Sequence, residues 1–237
     1  MIFIFDIDDT LYDLEDPFRF AFTDMFGYEP ENIHNIFLDF RKYNNKVYEK
    51  AILGEITMEE MCIYRAKNAL GDHGIEIDDK QALLFQLTYL KDKENIRLNP
   101  YMEKALNLLK KNNIPMGIIS NGPHKEQFQK VNYLGIEKYI DSNNIFISED
   151  VGFHKPKKEI FSIAKRELLN RFKLSDECDV FYIGDSFSVD MVGAKKAQMK
   201  TVWANHRHYN VKKGDFTPDF EASSFEEVYE IIKKLIS

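Results

Sequence analysis

The spacing of apolar residues divides the chain into two regions of different character. Residues 2–5 form a continuous apolar run, IFIF, which indicates a short buried strand. Between residues 15 and 93 the apolar positions follow a helical period instead. The helices predicted there are marked by Phe18, Phe22, Met25 and Phe26; by Ile33, Phe37, Phe40 and Val47; by a capping box at 57–60 with a stop at Gly71; and by Leu83, Leu84, Leu87 and Leu90. This region is therefore predicted to be all helical.

Beyond Asn99-Pro100 the pattern changes to alternating strands and helices. Short apolar runs predict strands at 114–119, 145–147, 180–183 and 200–203. Helical periods predict helices at 100–112, 124–134, 156–172, 188–198 and 224–236. Such alternation is typical of a parallel sheet with helices on both faces. The sequence predicts an α/β protein, with a doubly wound parallel-sheet (Rossmann-like) core at 1–14 and 94–237 and an inserted all-helical cap at 15–93.

Composition narrows the classes of protein that fit this pattern. The 237 residues are 44% apolar and 30% charged, as in an ordinary globular chain, and the net charge of −7 argues against a nucleic-acid partner. No run of about 20 apolar residues predicts a membrane span, and the N-terminus lacks a basic leader. Cys62 and Cys178 are far apart and are interpreted as buried free thiols. A cytoplasmic location is expected, and the oligomeric state stays open.

Polar and charged residues follow the ends of the predicted strands. The first strand is followed by DIDDT at 6–10, and the second by SNG at 120–122. Lys155 stands before a proline after the third strand, and GDSFSVD at 184–190 follows the fourth. Because ligands of a doubly wound sheet bind beyond the carboxyl ends of its strands, these groups are expected to meet at one edge.

These residue types fit a metal-assisted reaction at phosphorus. The carboxylates expected at that edge are Asp6, Asp8, Asp185 and Asp190. A hard divalent cation would hold them together, and oxygen ligands without histidine or cysteine favour Mg²⁺. Lys155 and Ser120 would add a positive charge and a hydroxyl donor for a phosphoryl group. One carboxylate can attack that group, and a second carboxyl group two residues on can give and take the proton.

This set of motifs, DIDDT, SN, the lysine before a proline and GDSFSVD, resembles the haloacid dehalogenase-like hydrolase superfamily. It is similar to the phosphatase branch that carries a helical cap after the first motif, and the motifs occur in the same order over nearly the whole chain. True haloacid dehalogenases lack an acid at the position of Asp8. Its presence favours cleavage of a phosphate ester over cleavage of a carbon–halogen bond.

The resemblance implies a role for each motif residue. Asp6 would be the nucleophile and a magnesium ligand, and Asp8 the general acid/base, with its backbone carbonyl on the metal. Asp185 would be the third protein ligand of magnesium. Asp190 occupies the family's second acidic position, where it would hold Lys155 or a metal-bound water. The implied phosphate-binding residues are Thr10, which also steadies the loop, Ser120, Asn121 and Lys155.

Together these points favour magnesium-dependent hydrolysis of a small-molecule phosphomonoester through an aspartyl-phosphate intermediate. Mg²⁺ is the expected cofactor, and a small phosphorylated metabolite is the expected partner. A nucleotide monophosphate is the favoured substrate, with a sugar or glycolate phosphate left open. A phosphomutase of the same family is a second interpretation. A phospho-accepting signalling module is a third, although such domains are shorter and lack an inserted cap.

Three further features are interpreted as structural. Asp9 is predicted to point away from Asp8, because side chains alternate along an extended segment. The triplet at 206–208, His-Arg-His, is predicted to lie in a solvated loop, with a contact at the substrate edge as the alternative. The aromatic residues of the cap are predicted to form mainly helix-packing core: Phe18, Phe22, Phe26, Tyr43 and Tyr48.

Overall fold

The structure is a computed structural model that describes residues 1–211 and 216–237. The chain forms two compact units, one of residues 1–13 with 97–237 and the other of residues 14–96. The first is an α/β unit, and the second is helical. The function of the helical unit as a cap stays a prediction.

In the described part of the chain, six strands form one parallel sheet. The strands are β1 (Ile2–Phe5), β2 (Met116–Ser120), β3 (Ile145–Ile147), β4 (Val180–Gly184), β5 (Lys200–Ala204) and β6 (Phe220–Ala222). Their order across the sheet is β3-β2-β1-β4-β5-β6. The chain thus winds outward from β1 in both directions, and the predicted fold class, a doubly wound α/β sheet with an inserted helical unit, is confirmed.

Ten α-helices fall within the described residues. They are α1 (Glu15–Phe26), α2 (Ile33–Ile52), α3 (Met58–Gly71), α4 (Asp79–Asp92), α5 (Pro100–Lys111), α6 (His124–Tyr133), α7 (Ser148–Val151), α8 (Lys158–Phe172), α9 (Val192–Lys196) and α10 (Phe225–Leu235). The helix predicted at 188–198 is instead a π-helical turn, Phe187–Met191, that leads into α9. Strand β6 was not predicted, because it is a three-residue edge strand with the charged Glu221 at its centre.

The register of the strands places the candidate residues at one edge of the sheet. Phe5, the last residue of β1, lies opposite Ile118 of β2 and Ile183 of β4. Asp6 therefore leaves the sheet beside both neighbouring strands, and its backbone N–H donates to the carbonyl oxygen of Ile183 at 2.9 Å. Strands β2 and β4 end one or two residues beyond these partners, so the polar loops that follow the three strands begin at the same edge of the sheet.

The helical unit packs around aromatic side chains. Phe18 is fully buried, and its ring centroid lies 5.1 to 5.5 Å from those of Phe37, Phe40 and Phe85. The predicted aromatic core is confirmed for Phe18 and for Phe22 of the same helix, which is also fully buried. It is wrong for Tyr48, which is exposed.

Helix α4 was predicted correctly as a helix, but its buried face was not. Its buried residues are Ala82, Phe85 and Tyr89, whereas its exposed apolar residues are Leu84, Leu87 and Leu90. The aromatic rings occupy the buried face because Phe85 and Tyr89 both pack on Phe40, with centroids 5.9 and 5.8 Å away.

The structure also bears on the predictions about membrane spans and cysteines. Among the described helices, none has the length and apolar character needed to cross a bilayer. Both cysteines are free thiols, as predicted; Cys62 is buried, whereas the predicted burial is wrong for Cys178, which is only partly buried.

Candidate active site

Three aspartates meet beyond the ends of β1 and β4. Asp6 directly follows β1, Asp185 directly follows β4, and Asp190 lies in the π-helical turn that comes next. Carboxylate oxygens of all three lie within 4.8 Å of one another, and all three residues are buried. Like charges at such a distance repel one another, so the arrangement needs positive charge nearby.

Lys155 supplies a positive charge inside this cluster. Its Nζ donates to Asp6 Oδ1 and to Asp190 Oδ1, each at 2.7 Å, and its side chain is only 3% exposed. Burial alone would lower the pKa of this ammonium group. The charges of Asp190 and Asp6 outweigh burial and raise the pKa of Lys155 above the ordinary lysine value. Lys155 is therefore a permanent cation in the cluster.

The negative charge of the cluster still exceeds the positive charge that Lys155 brings. Burial is the main cause that raises the pKa of Asp6 to about 7; the charges of Asp190 and Asp8 add to it, and the charge of Lys155 opposes it. One ammonium group is shared between two carboxylates while Asp185 lies alongside. A divalent cation bound there would reduce the repulsion among the three carboxylates.

Asp190 is held from several sides. It accepts hydrogen bonds from Lys155, from the Ser186 backbone N–H at 3.0 Å and from the Tyr182 hydroxyl group at 3.0 Å. Its carboxylate also lies against Gly184, where an added Cβ would be 2.6 Å from Asp190 Cγ. Only glycine fits there without displacing Asp190. Of the two contacts expected for Asp190, with Lys155 or with a metal-bound water, the structure shows the one with Lys155.

Tyr182 belongs to the site, although the sequence analysis did not single it out. Its hydroxyl group accepts from Lys155 Nζ at 3.1 Å and donates to Asp190 Oδ1. Burial and the charges of Asp190 and Asp6 raise the pKa of Tyr182 well above its ordinary value, so the hydroxyl group stays neutral. A tyrosine within a fully buried strand needs a partner for its hydroxyl group, and that need was the available signal.

Ser120 and Asn121 lie at the end of β2. The buried Ser120 hydroxyl group donates to Gln127 Oε1 at 2.9 Å. The Asn121 side chain accepts from the Lys155 backbone N–H at 2.8 Å and donates to the Lys155 carbonyl oxygen at 3.0 Å. Asn121 thus fixes the loop that carries Lys155. Phosphate binding by either residue stays a prediction.

Asp8 has its own pair of partners. Lys130 Nζ donates to Asp8 Oδ1 at 2.8 Å and to Oδ2 at 2.5 Å, and the Tyr12 hydroxyl group donates to Oδ1 at 2.5 Å. The side chain of Lys130 is 9% exposed and that of Asp8 is 29% exposed. Lys130 was not singled out from the sequence, because nothing local links it to an acid 122 positions away.

Thr10 closes the turn that contains Asp8. Its backbone N–H donates to the carbonyl oxygen of Ile7 at 3.3 Å, and the expected steadying of the loop by its side chain stays a prediction. Its side chain is fully buried, and its hydroxyl oxygen has no hydrogen-bond partner among the residues that the structure describes. A contact with phosphate stays a prediction.

Asp9 forms a second charged cluster. Arg207 donates from Nη2 to Asp9 Oδ1 at 2.8 Å and from Nε to Oδ2 at 3.2 Å, and it also pairs with Asp13. His206 Nε2 lies 3.3 Å from Asp9 Oδ1. The prediction of a solvated loop is wrong for His206 and Arg207, whose side chains are 7% and 5% exposed, because both contact the buried Asp9. His208 is exposed, as predicted.

The charges of this second cluster stabilise the ionised form of Asp9. Burial alone would raise the pKa of Asp9, but the hydrogen bonds and charges of His206 and Arg207 outweigh burial and hold that pKa well below its usual range. The pKa of Arg207 is raised in turn by the charge of Asp9, against the effect of burial. Asp9 is thus a structural anion, which fits its predicted role.

The donor set of the first cluster fits a hard divalent cation. Asp6 and Asp185 present carboxylates from neighbouring strand ends, and the cluster consists of aspartates alone. The Asp185 backbone is fixed by Trp203, whose Nε1 donates to the Asp185 carbonyl oxygen at 2.8 Å. Asp6, Asp185 and Asp190 each offer a carboxylate oxygen, and the oxygens of Asp190 also accept hydrogen bonds from Lys155 and Ser186.

Comparisons with known proteins agree on one family. A family model described as haloacid dehalogenase-like hydrolase matches residues 1–198. The chain is 28% identical to the HAD-hydrolase YfnB of Bacillus subtilis over 97% of this chain and 94% of YfnB. The magnesium-bound crystal structure of YfnB matches with a TM-score of 0.67 at 26% identity, covering 98% of this chain and 97% of that one.

Two further relatives have names that state a substrate. The chain is 28% identical to the glyceraldehyde 3-phosphate phosphatase of Methanocaldococcus jannaschii over 98% of this chain and 96% of the relative. It is 32% identical to the pyrimidine 5'-nucleotidase YjjG of Escherichia coli over 52% of this chain and 51% of YjjG.

Proposed function

The chain belongs to the haloacid dehalogenase-like hydrolase family, and we propose that it hydrolyses a small phosphomonoester through an aspartyl-phosphate on Asp6. The observation that carries the proposal is the environment of Asp6. Its buried carboxylate follows a strand inside the sheet, pairs with the ammonium group of Lys155 and lies beside the carboxylates of Asp185 and Asp190. A second acid, Asp8, lies two residues further along the chain.

In the first step a carboxylate oxygen of Asp6 attacks phosphorus, and the ester O–P bond breaks. The leaving oxygen takes the electron pair of that bond and a proton from Asp8. Lys155 offsets negative charge on the nucleophile and on the transferring phosphoryl group. Asn121 holds the backbone of Lys155, and Asp190 and Tyr182 hold its ammonium group.

In the second step water attacks the phosphorus of the aspartyl-phosphate. Asp8 accepts a proton from that water, the acyl–phosphate bond breaks, and inorganic phosphate leaves. The carboxylate of Asp6 is thereby regenerated. Asp8 thus serves as acid in one step and as base in the next. Cleavage of a carbon–halogen bond would not require the acid, because a halide leaves without a proton.

We propose Mg²⁺ as the cofactor, bound by the carboxylates of Asp6 and Asp185 and the backbone carbonyl oxygen of Asp8. The ion would neutralise charge on the phosphoryl oxygens. Support comes from the aspartate-only donor set and from the magnesium-bound structure of YfnB. Asp190 would stay with Lys155, its partner in the structure.

For the substrate we propose a nucleoside monophosphate first and a small sugar phosphate second. The first choice is supported by the similarity to a pyrimidine 5'-nucleotidase, and the second by the full-length similarity to a glyceraldehyde 3-phosphate phosphatase. The helical unit of residues 14–96 is proposed to select the leaving group. A phosphomutase would differ by transferring the phosphoryl group from Asp6 to a second hydroxyl group instead of to water.

The test is phosphate release from nucleotide, sugar and small-acid phosphates, each with Mg²⁺ and with a chelator. We expect turnover of at least one class that chelation stops and that added Mg²⁺ restores. If the chain interconverts phosphate isomers and releases little free phosphate, the proposal of a hydrolase gives way to that of a phosphomutase. Turnover that persists in Asp6→Asn would contradict the proposed mechanism.

A further inference from the structure

Helix α6 buries polar side chains where a helix normally buries apolar ones. Its buried residues are Gln127, Lys130 and Val131. Gln127 and Lys130 are three positions apart and so lie on the same face of the helix. A lysine is almost never buried unless it is paired, so the position of Lys130 needs a specific partner.

That partner is Asp8. The ammonium group of Lys130 contacts both carboxylate oxygens, and Tyr12 adds a third hydrogen bond. Because donors contact both oxygens, they fix the orientation of the carboxylate plane as well as the distance between the carboxylate and Lys130. Ion pairs that stay partly in contact with solvent contribute little to folding stability, and the Asp8 side chain is 29% exposed. Stability alone is therefore a weak reason for burying Lys130.

The support for Lys130 extends to the end of β2. Lys130 Nζ lies 3.4 Å from Gln127 Oε1, which also accepts the hydrogen bond from Ser120. Gln127 fits because residue 122 is glycine: a Cβ there would be 2.6 Å from Gln127 Nε2. A chain of hydrogen bonds thus connects the predicted phosphate-binding hydroxyl group with the carboxylate that transfers protons.

We propose that Lys130 is a positioning residue for proton transfer, which holds the Asp8 carboxylate in the orientation that serves the leaving-group oxygen. The inference rests on the proposed function, in which Asp8 is the general acid/base. Lys130 itself does not touch the reacting atoms. It acts through Asp8, with Gln127 as a shared support of Lys130 and Ser120.

The test compares two substrates that differ in their need for a proton. An alkyl phosphate releases a basic alkoxide, which needs protonation, whereas p-nitrophenyl phosphate releases a stable phenolate, which does not. The value of kcat/KM reports the steps up to the transfer of the phosphoryl group to Asp6. The variants are Lys130→Met, which keeps the length but removes the charge, and Lys130→Arg, which keeps the charge.

We expect Lys130→Met to lower kcat/KM for the alkyl phosphate by about 100-fold and that for p-nitrophenyl phosphate by less than about tenfold, in the range of general acid catalysis. Lys130→Arg should recover most of the loss on the alkyl phosphate. The matched control is Lys125→Met, because Lys125 lies exposed on the same helix. That variant should resemble the wild type on both substrates.

An equal loss on both substrates, or no loss on either, would overturn the inference while leaving the proposed function in place. The same assay includes wild type and Asp6→Asn, so a wild-type chain that turns over neither substrate would instead contradict the proposed function and this inference with it. Melting temperatures are measured for all variants. If Lys130→Met has a lowered melting temperature, kcat/KM of Lys130→Arg is compared with that of wild type instead. An equal loss of kcat/KM on both substrates in Lys130→Arg then overturns the inference.

Discussion

Asp6 and Asp9 are buried acids in the same loop, three positions apart, yet their surroundings shift their pKa values in opposite directions. The pKa of Asp6 is raised to about 7, chiefly by burial, whereas the pKa of Asp9 is held well below its usual range by His206 and Arg207. Burial on its own raises the pKa of both acids. The difference therefore comes from the neighbouring charges.

The two clusters differ in the charged groups that the structure describes around each acid. Asp6 shares the single ammonium group of Lys155 with Asp190, and Asp185 adds a further carboxylate. Asp9 has a guanidinium group and an imidazole, and it shares the former with Asp13. Two further carboxylates lie beside Asp6, an arrangement that suits the proposed cation, whereas the described neighbours of Asp9 stabilise its ionised form. The neighbouring groups, more than burial or residue type, distinguish the surroundings of Asp6, the proposed nucleophile, from those of Asp9.

The largest expected effect is on catalysis at Asp6. Asp6→Asn should lower phosphate release by about 10⁴-fold or more, since the amide cannot act as the nucleophile. The melting temperature should be unchanged or higher, because the substitution removes repulsion among buried carboxylates. Phosphate release and thermal unfolding of the same preparation check both parts. A large loss of stability would mean that this cluster, too, is structural.

Asp9→Asn should show the reverse pattern. It leaves buried Arg207 without its main anionic partner, so the free energy of unfolding should fall by about 3 kcal/mol, as expected for one half of a buried ion pair. Turnover per folded molecule should change far less than in Asp6→Asn. Urea unfolding and active-site titration measure the two effects. An unchanged stability would show that the Arg207 cluster does not hold the loop.

The pH dependence of the free energy of unfolding separates the two acids by sign. With Asp6 raised from 3.8 to about 7, the folded metal-free chain binds more protons than the unfolded chain in this window, so Asp6 adds stability as the pH falls from about 7 to about 4. Asp9 contributes stability that is present above its unfolded value of 3.8 and is lost as the pH falls further.

Urea unfolding with a chelator, across this pH range, tests both signs. Asp6→Asn should remove the gain in stability between about pH 7 and pH 4, and Asp9→Asn should remove the loss below about pH 4. If Asp6→Asn instead removed the loss below about pH 4, and Asp9→Asn the gain above it, the opposite pKa shifts of the two acids would be contradicted.

The sequence predicted those parts of the protein that depend on local pattern. Alternating strands and helices predicted the sheet, and because parallel strands end at one edge, the motif residues Asp6, Lys155, Asp185 and Asp190 were expected together, as they are found. Strand β6 was not predicted because Phe220–Ala222 is too short to show a pattern.

What the sequence did not predict depends on long-range contacts. Lys130 lies 122 positions from Asp8, and Arg207 lies 198 positions from Asp9, so nothing in either local pattern identifies the pair. The triplet at 206–208 was placed in a solvated loop for the same reason. In α4 the apolar period marked the helix, but three exposed leucines show that the choice of buried face was made by the aromatic packing of Phe85 and Tyr89.

The most direct test of the central claim is to trap the covalent intermediate. The enzyme would be mixed with substrate and Mg²⁺, quenched, and treated with borohydride, which reduces an acyl phosphate to an alcohol and so converts a phosphorylated aspartate to homoserine. Peptide mapping by mass spectrometry should find homoserine at position 6, only when substrate is present. Active enzyme with homoserine at another aspartate, or at none, would contradict the assignment of Asp6 as the nucleophile.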